Sequence, residues 1–315
     1  MTTLLVASTG GHLKELHHLH RRLSDVDGPY RWVTFDTPQS RSLLAGEEVE
    51  FARFVGDRDA VNAVRSLPEA RRLARDPEVE AVVSTGASVA VPYIAMGRAR
   101  GLRCCYVESA ARLDGPSLTG HLLSAIPGVA LVTQCRGWAA GRWRYGGSVF
   151  DAFECADHGR EGEPRLDKIV VALGTTAEGF PRVVRRLKEI LPPAADVLWQ
   201  TGNTDPGELG VPGHYMLPER DLTEAMREAD AVVCHAGVGN ALAALEVGKC
   251  PVIVPRRLSF GELVDDHQVQ IARELGERGL AVSVEADEVT CEDLLAASRK
   301  RVTASVRPAS FAIAT

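Results

Sequence analysis

Residues 231–268 read AVVCHAGVGNALAALEVGKCPVIVPRRLSFGELVDDHQ, and the fold of the chain is decided there. Ala231–Cys234 is a continuous apolar run, and Val252–Pro255 is a second, closed off by Pro251 and Pro255. Runs without alternating polar positions fit strands of a parallel sheet covered on both faces. Between them, His235-Ala236-Gly237-Val238-Gly239-Asn240 leads into Ala241–Val247, which is helix-forming in composition. Glycines at a strand-to-helix turn let backbone N–H groups approach a ligand, and the helix N-terminus adds partial positive charge. Together they make an anion site, most often for phosphate. Glu246, read as one turn along the helix, and the polar Asp265-Asp266-His267-Gln268 after the next strand complete the stretch. Both lie beyond the carboxyl ends of strands, where open α/β sheets bind ligands.

Around this stretch, 315 residues suit two domains, with 45% hydrophobic and 25% charged content typical of globular chains. No segment approaches a membrane span, and the N-terminus MTTLLVAS runs straight into a strand without a basic leader region. Seven cysteines without CxxC spacing read as reduced core thiols of a cytoplasmic protein; neither a metal cluster nor a disulfide framework is expected. The net charge of −6 is uneven. Residues 1–150 carry 18 Lys+Arg against 15 Asp+Glu, and residues 151–315 carry 18 against 27. An acidic half is a poor nucleic-acid surface.

The N-terminal half repeats the strand–glycine–helix design. Thr3–Ala7 enters Ser8-Thr9-Gly10-Gly11-His12 and a helix over Leu13–Leu23. His12, in the first helical turn, is a candidate general base, because an imidazole titrates near neutral pH. His17, His18 and His20 read as a solvated helix face. Val79–Ser84 opens into Thr85-Gly86-Ala87-Ser88 in the same manner. Cys104–Glu108 is a strand ending on a carboxylate, so Glu108 competes with His12 as the base. Beyond it come Ser109, Arg112, Ser117 and Thr119; the Arg112 fork suits an acceptor phosphate. Arg136-Gly-Trp138-Ala-Ala-Gly-Arg142-Trp143-Arg144 mixes cations with Trp, as at membrane interfaces, although a buried Trp pair near the domain boundary explains it better. Residues 151–166 lose apolar periodicity and read as a linker. Lys168–Leu173 then restarts a βα unit with Gly174-Thr175-Thr176 at its turn. Tyr215–Pro218 reads as a short strand, Cys291–Val302 as the last helix, able to cross back to the first domain, and Arg307–Thr315 as a tail without periodicity.

The pattern HAG-x-G, a helical Glu, P-x-x-x-P and DDHQ resembles the donor half of family 28-type glycosyltransferases. These include the peptidoglycan GlcNAc transferase that makes lipid II. Closer still are the catalytic subunit of the UDP-GlcNAc transferase of asparagine-linked glycosylation and its bacterial exopolysaccharide counterparts. The ES-x-x-R…SLTG string from Glu108 to Gly120 resembles the partner subunit of those systems, so the chain resembles a fusion of the two. The resemblance implies a GT-B fold: Rossmann-like domains over residues 1–150 and 167–315, facing each other across a cleft. It implies that His235, Ala236, Gly237, Gly239 and Asn240 hold a UDP diphosphate and Glu246 the ribose. Asp266, His267 and Gln268 would meet the donor sugar, and Gly174 and Thr175, at a turn resembling the opening of the exopolysaccharide donor subunits, would meet either the donor phosphate or the acceptor. Gly10, Gly11, Thr85, Ser109, Arg112, Ser117 and Thr119 would face the acceptor. The expected activity is inverting, metal-independent transfer from a UDP-sugar, without a further cofactor, to a lipid-linked or polysaccharide precursor at the inner membrane face. The alternatives are transfer to a small-molecule natural product, a UDP-sugar epimerase, or a non-catalytic nucleotide-sugar-binding partner.

Overall fold

A computed structural model describes the chain except for residues 25, 27, 57, 58, 157–164, 307, 314 and 315. It divides into two compact units, Met1–Asp151 with Pro308–Thr315, and Ala152–Arg307.

In the first unit, strands β1 (Thr2–Ala7), β2 (Tyr30–Phe35), β3 (Glu48–Ala52), β4 (Val79–Gly86), β5 (Arg103–Val107), β6 (Val129–Thr133) and β7 (Trp143–Tyr145) form one sheet. Its order is β3-β2-β1-β4-β5-β6-β7 and every pairing is parallel. Every residue of β1 is buried, because helices joining parallel strands cover both faces of the sheet. Leu4, Val6, Val33, Val82, Tyr93 and Ile94 belong to one apolar core. The order of strands reverses direction between β1 and β4. That reversal is the switch point of an open α/β sheet, and it brings together the loops after Ala7 and Gly86.

The second unit begins with β8 (Phe153–Ala156), so the stretch read as a linker opens with a strand; residues 157–164 of it lie outside the described residues. Strands β9 (Lys168–Ala172), β10 (Asp196–Gln200), β11 (Gly213–His214), β12 (Ala231–His235), β13 (Val252–Val254) and β14 (Val282–Ser283) form its sheet. The order is β11-β10-β9-β12-β13-β14, again all parallel, with the reversal between β9 and β12. Amphipathic helices cover it: Pro181–Ile190 buries Val183, Val184 and Leu187, and Glu219–Glu228 buries Leu222 and Met226, spaced four residues apart.

Several boundaries differ from the sequence reading. The short strand lies at Gly213–His214, ahead of the expected Tyr215–Pro218. The last helix stops at Ser298, and Arg301–Ala304 forms β15, antiparallel to β8. The tail from Pro308 belongs to the first unit, where Phe311 and Ile313 are fully buried. Phe311 N–H donates to Arg22 O at 2.7 Å, and Ala312 N–H to Gly146 O at 2.9 Å. The histidines of the first helix do not form a solvated face. His20 is buried, and the rings of His17 and His20 lie 5.9 and 5.2 Å from Trp32.

Phe311→Ala removes a fully buried ring and should lower the unfolding free energy by about 3–5 kcal/mol in urea titration. A loss under about 1 kcal/mol would show that the tail is not part of the core.

Candidate functional site

The two switch points carry the same construction, and the second is the more complete. His235 ends β12 and is buried, with its ring between two glycines. A Cβ on Gly174 would sit 2.5 Å from His235 Cε1, and one on Gly237 would sit 2.2 Å from His235 Nε2. Any side chain at either position would displace the ring, which is why glycine stands at both. Gly174 also holds φ 72°, a left-handed value that L side chains rarely adopt. The Ala172 carbonyl lies 3.3 Å from His235 Nδ1 and accepts from Asn240 Nδ2 at 2.9 Å, which ties the ring to the following helix. Burial, reinforced by the Arg256 charge, pushes the imidazole down to about 3, so His235 is neutral at physiological pH.

The helix Val238–Glu246 starts from Gly237 with no side-chain cap. Its first N–H groups, those of Val238, Gly239 and Asn240, point out of the helix end, because an α-helix offers them no internal acceptor. Ala236 is buried and its N–H is spent on Val254 O at 3.1 Å. Thr175, by contrast, is exposed on the loop after β9.

Glu246 stands elsewhere than expected. It is the last residue of that helix and is exposed, eight residues past Val238, which is about 12 Å along the axis. It is therefore two turns from the helix start instead of one. The DDHQ segment is also not a loop. Asp266 is the cap residue of the helix His267–Glu277, and His267 and Gln268 lie in its first turn. Asp266 Oδ1 accepts from Leu258 N at 3.0 Å, and His267 Nδ1 bonds Asp265. Gln268 is buried, its Oε1 accepting from Arg256 N at 3.1 Å, so that amide oxygen braces the loop after β13.

In the first unit, the helix Gly11–Leu19 likewise starts without a side-chain cap, from Gly10 at φ 88°. The space where a Gly10 side chain would stand is open, and Gly10 N–H donates to Gln39 Oε1 at 2.7 Å. His12 is half-buried. A Cβ on Gly86 would lie 3.3 Å from its ring and 3.4 Å from Tyr106 Oη, so those two groups meet over Gly86. Thr85 is buried and its hydroxyl donates to His12 O at 2.9 Å, fixing the turn that carries the imidazole.

Glu108 follows β5 and is buried, its carboxyl pushed up chiefly by desolvation. Its oxygens are surrounded by donors: Ser117 N–H at 2.8 Å, Ser117 Oγ at 3.0 Å, Tyr106 Oη at 3.2 Å and Ser109 N–H at 3.3 Å. Ser117 in turn caps the helix Leu118–Ser124 through Gly120 N–H at 3.1 Å. Ser109 Oγ donates to Glu15 Oε2 at 3.0 Å, and Ala110 N–H donates to Glu15 Oε1 at 2.7 Å. Arg112 and Thr119 are half-buried on this loop and the helix after it, and Arg112 O accepts from Trp138 Nε1 at 2.9 Å. Trp138 and Trp143 meet edge to face at 5.1 Å, both half-buried, and Arg142 is engaged by the carbonyls of Ile126 and Val129 at 3.1 and 3.0 Å.

Sequence reasoning missed three residues here. Glu15, wholly buried on the first helix, clamps the loop after β5, and Gln134 joins it by bonding Glu15 Oε1 and Glu108 O. Arg256, also wholly buried, binds the loop after β9. Each has a charged or polar side chain of the kind usually found at surfaces, so composition gave no signal. Among the described residues, no group of three or more His, Cys, Asp or Glu is placed to hold a metal ion. No described helix is long and apolar enough to cross a membrane.

Comparison with known proteins agrees with this fold. Residues 169–310 match the glycosyltransferase family 28 C-terminal domain. A UDP-N-acetylglucosamine transferase subunit ALG13 from Yarrowia lipolytica is 44% identical over 70 residues, covering 22% of this chain and 34% of that protein. This chain thus spans about a third of that relative. A UDP-N-acetylglucosamine--N-acetylmuramyl-(pentapeptide) pyrophosphoryl-undecaprenol N-acetylglucosamine transferase from Shewanella amazonensis is 25% identical, covering 95% of this chain and 90% of the relative. Among solved structures, Acinetobacter baumannii MurG matches with TM-score 0.57 at 19% identity, covering 94% of this chain and 89% of that one. The glycosyltransferase SnogD from Streptomyces nogalater matches with TM-score 0.60 at 17% identity, covering 95% and 93%. The protein is a glycosyltransferase with the GT-B fold. Its second unit carries the family 28 C-terminal domain.

Burial pushes the Glu15 carboxyl up from 4.5 to about 7, against the hydrogen bonds it accepts. An acid raised in this way binds its proton more tightly when folded. Its contribution to stability is therefore full below about 4.5 and is lost as pH rises to about 7. Glu15→Gln cannot ionise, so its unfolding free energy should fall less than wild type's between pH ~5 and ~8. An identical pH slope in the two proteins would show that Glu15 does not titrate in that window.

Proposed function

We propose that the protein transfers a sugar, with inversion, from a UDP-sugar held by the second unit to a hydroxyl of a lipid-linked acceptor met by the first. The observation that carries the donor half is the uncapped helix start at Gly237, with neutral His235 locked beside it between two glycines. A nucleoside diphosphate leaving an anomeric carbon gains negative charge. The amides of Val238, Gly239 and Asn240, with the positive end of the helix, stabilise that charge without reorganising. A neutral imidazole adds hydrogen bonding there without a titratable charge. This electrostatic arrangement does the work a divalent ion does elsewhere, so turnover is expected to survive chelation.

His12 is the base we propose for the acceptor hydroxyl. It is half-buried at an uncapped helix start, whereas the Glu108 carboxylate is already occupied by Ser117, Tyr106 and Ser109. Glu108 then serves to shape the loop that carries Arg112, whose guanidinium suits an acceptor phosphate. The relatives from Yarrowia lipolytica and Shewanella amazonensis, both N-acetylglucosamine transferases and the second acting on a pyrophosphoryl-undecaprenol, support N-acetylglucosamine as the sugar and a pyrophosphoryl lipid as the acceptor. Leu118 and Leu122, 57% and 54% exposed and spaced i,i+4 on the helix after Ser117, fit contact with a lipid surface.

Calorimetric titration with UDP, GDP, dTDP and NAD tests the donor assignment. UDP should bind at least about tenfold more tightly than the others, and His12→Ala should leave that affinity unchanged while lowering kcat by about 10²–10⁴. Preference for NAD, or no UDP binding, would remove the donor reading. Near-wild-type kcat in His12→Ala would remove the base.

A further inference from the structure

Arg256 lies two residues past the end of β13, after Pro255, and is completely buried. Its guanidinium donates to carbonyl oxygens on two loops. Nη1 reaches Glu178 O at 2.7 Å, Gly179 O at 3.1 Å and Glu262 O at 3.3 Å; Nη2 reaches Leu173 O at 3.0 Å. Nε is enclosed without a hydrogen-bond partner. The cation lies over the Phe180 ring at 4.9 Å. Its own backbone N–H is held by Gln268. One residue therefore fastens both ends of the loop 173–180 and joins it to the helix His267–Glu277.

Glu262 and Glu178 support the guanidinium through their charge, but its hydrogen bonds go to their backbone carbonyls and not to their carboxylates. Glu262 presents both oxygens to Arg182, at 3.0 and 3.1 Å, and one of them to Arg257 N–H at 3.0 Å. Arg256 is thus a cation taken out of water and bonded to neutral carbonyls, an arrangement that disfavours folding unless something gains from the charge. Its positive field extends to the His235 imidazole, which it helps to keep neutral. The field is therefore present at the turn where the helix Val238–Glu246 begins.

We propose that Arg256 is a positioning residue for the nucleoside diphosphate. It holds the backbone of residues 173–180 in place from behind, and it adds buried positive potential at a site whose ligand is anionic, without touching that ligand. This rests on the donor reading of the preceding subsection. A buried charge acts in a low-dielectric surrounding and is weakly screened, so it favours a diphosphate far more than an uncharged nucleoside.

The test is calorimetric titration of wild type, Arg256→Lys and Arg256→Met with uridine and with UDP, each variant first checked for a wild-type circular dichroism spectrum. The expected result for Arg256→Met is uridine affinity within about twofold of wild type and UDP affinity reduced at least about tenfold. Arg256→Lys, which keeps the charge and loses the fork, should show a smaller loss confined to UDP. If Arg256→Met does not fold, the lysine variant alone decides, by whether its loss is confined to UDP. Equal losses for uridine and UDP would overturn the proposal, since Arg256 would then only build the fold. Unchanged UDP affinity in folded Arg256→Met would overturn it too. Failure of wild type to bind UDP would instead remove the donor reading itself.

Discussion

The imidazole of His235 fills the room that two absent side chains leave, one at Gly174 and one at Gly237. Those glycines close the loops after β9 and the turn after β12, the two strands between which the order of the second sheet reverses. Because the ring must fit there, the backbone on either side is fixed, and with it the direction of the helix Val238–Glu246. Asn240 then anchors the first turn of that helix to the carbonyl that also meets the ring. Gly202 extends the same constraint, since a Cβ there would come within 1.9 Å of Gly174 O. A helix start without a side-chain cap is the outcome, built from backbone and held by packing.

The first unit solves a related problem by other means. Its helix also begins at an uncapped glycine, yet the surrounding loops are secured by buried carboxylates. Glu15 holds Ser109 and Ala110, while Glu108 holds Ser117. Both acids are accepted into the core because each oxygen receives donors, and burial then raises their affinity for protons. Carboxylates in such a place support a loop at little geometric freedom, which suits the placement of an acceptor. The second unit uses a buried cation, Arg256, for the corresponding task.

Much of this was legible in the residues. Continuous apolar runs such as Ala231–Cys234 require two covered faces, and glycines at Gly10, Gly86, Gly174 and Gly237 mark strand-to-helix turns, set by a left-handed backbone at Gly10 and by close approach of a His ring at the other three. Helix length was harder to read. Glu246 belongs to a nine-residue helix that ends at that residue, and apolar periodicity does not say how far a side chain lies from the helix start. The DDHQ segment misled because polar residues in a first helical turn look like a loop until the cap residue is located. Phe311 and Ile313 alternate with small residues, a faint strand-like pattern, but their burial depends on contacts almost 300 residues away in sequence, such as Phe311 N–H with Arg22 O. Glu15, Gln134 and Arg256 were invisible because a charged or polar residue is read as exposed until its partners are seen.

On the proposed donor reading, the amides opening the helix Val238–Glu246 bind the diphosphate. Amide resonances of Gly239 and Asn240, followed during titration with UDP and with uridine, report on it directly. UDP should shift both strongly and slow their hydrogen exchange, while uridine at equal saturation should leave them nearly unmoved. Bound UDP that leaves the Gly239 and Asn240 amides unperturbed would contradict it.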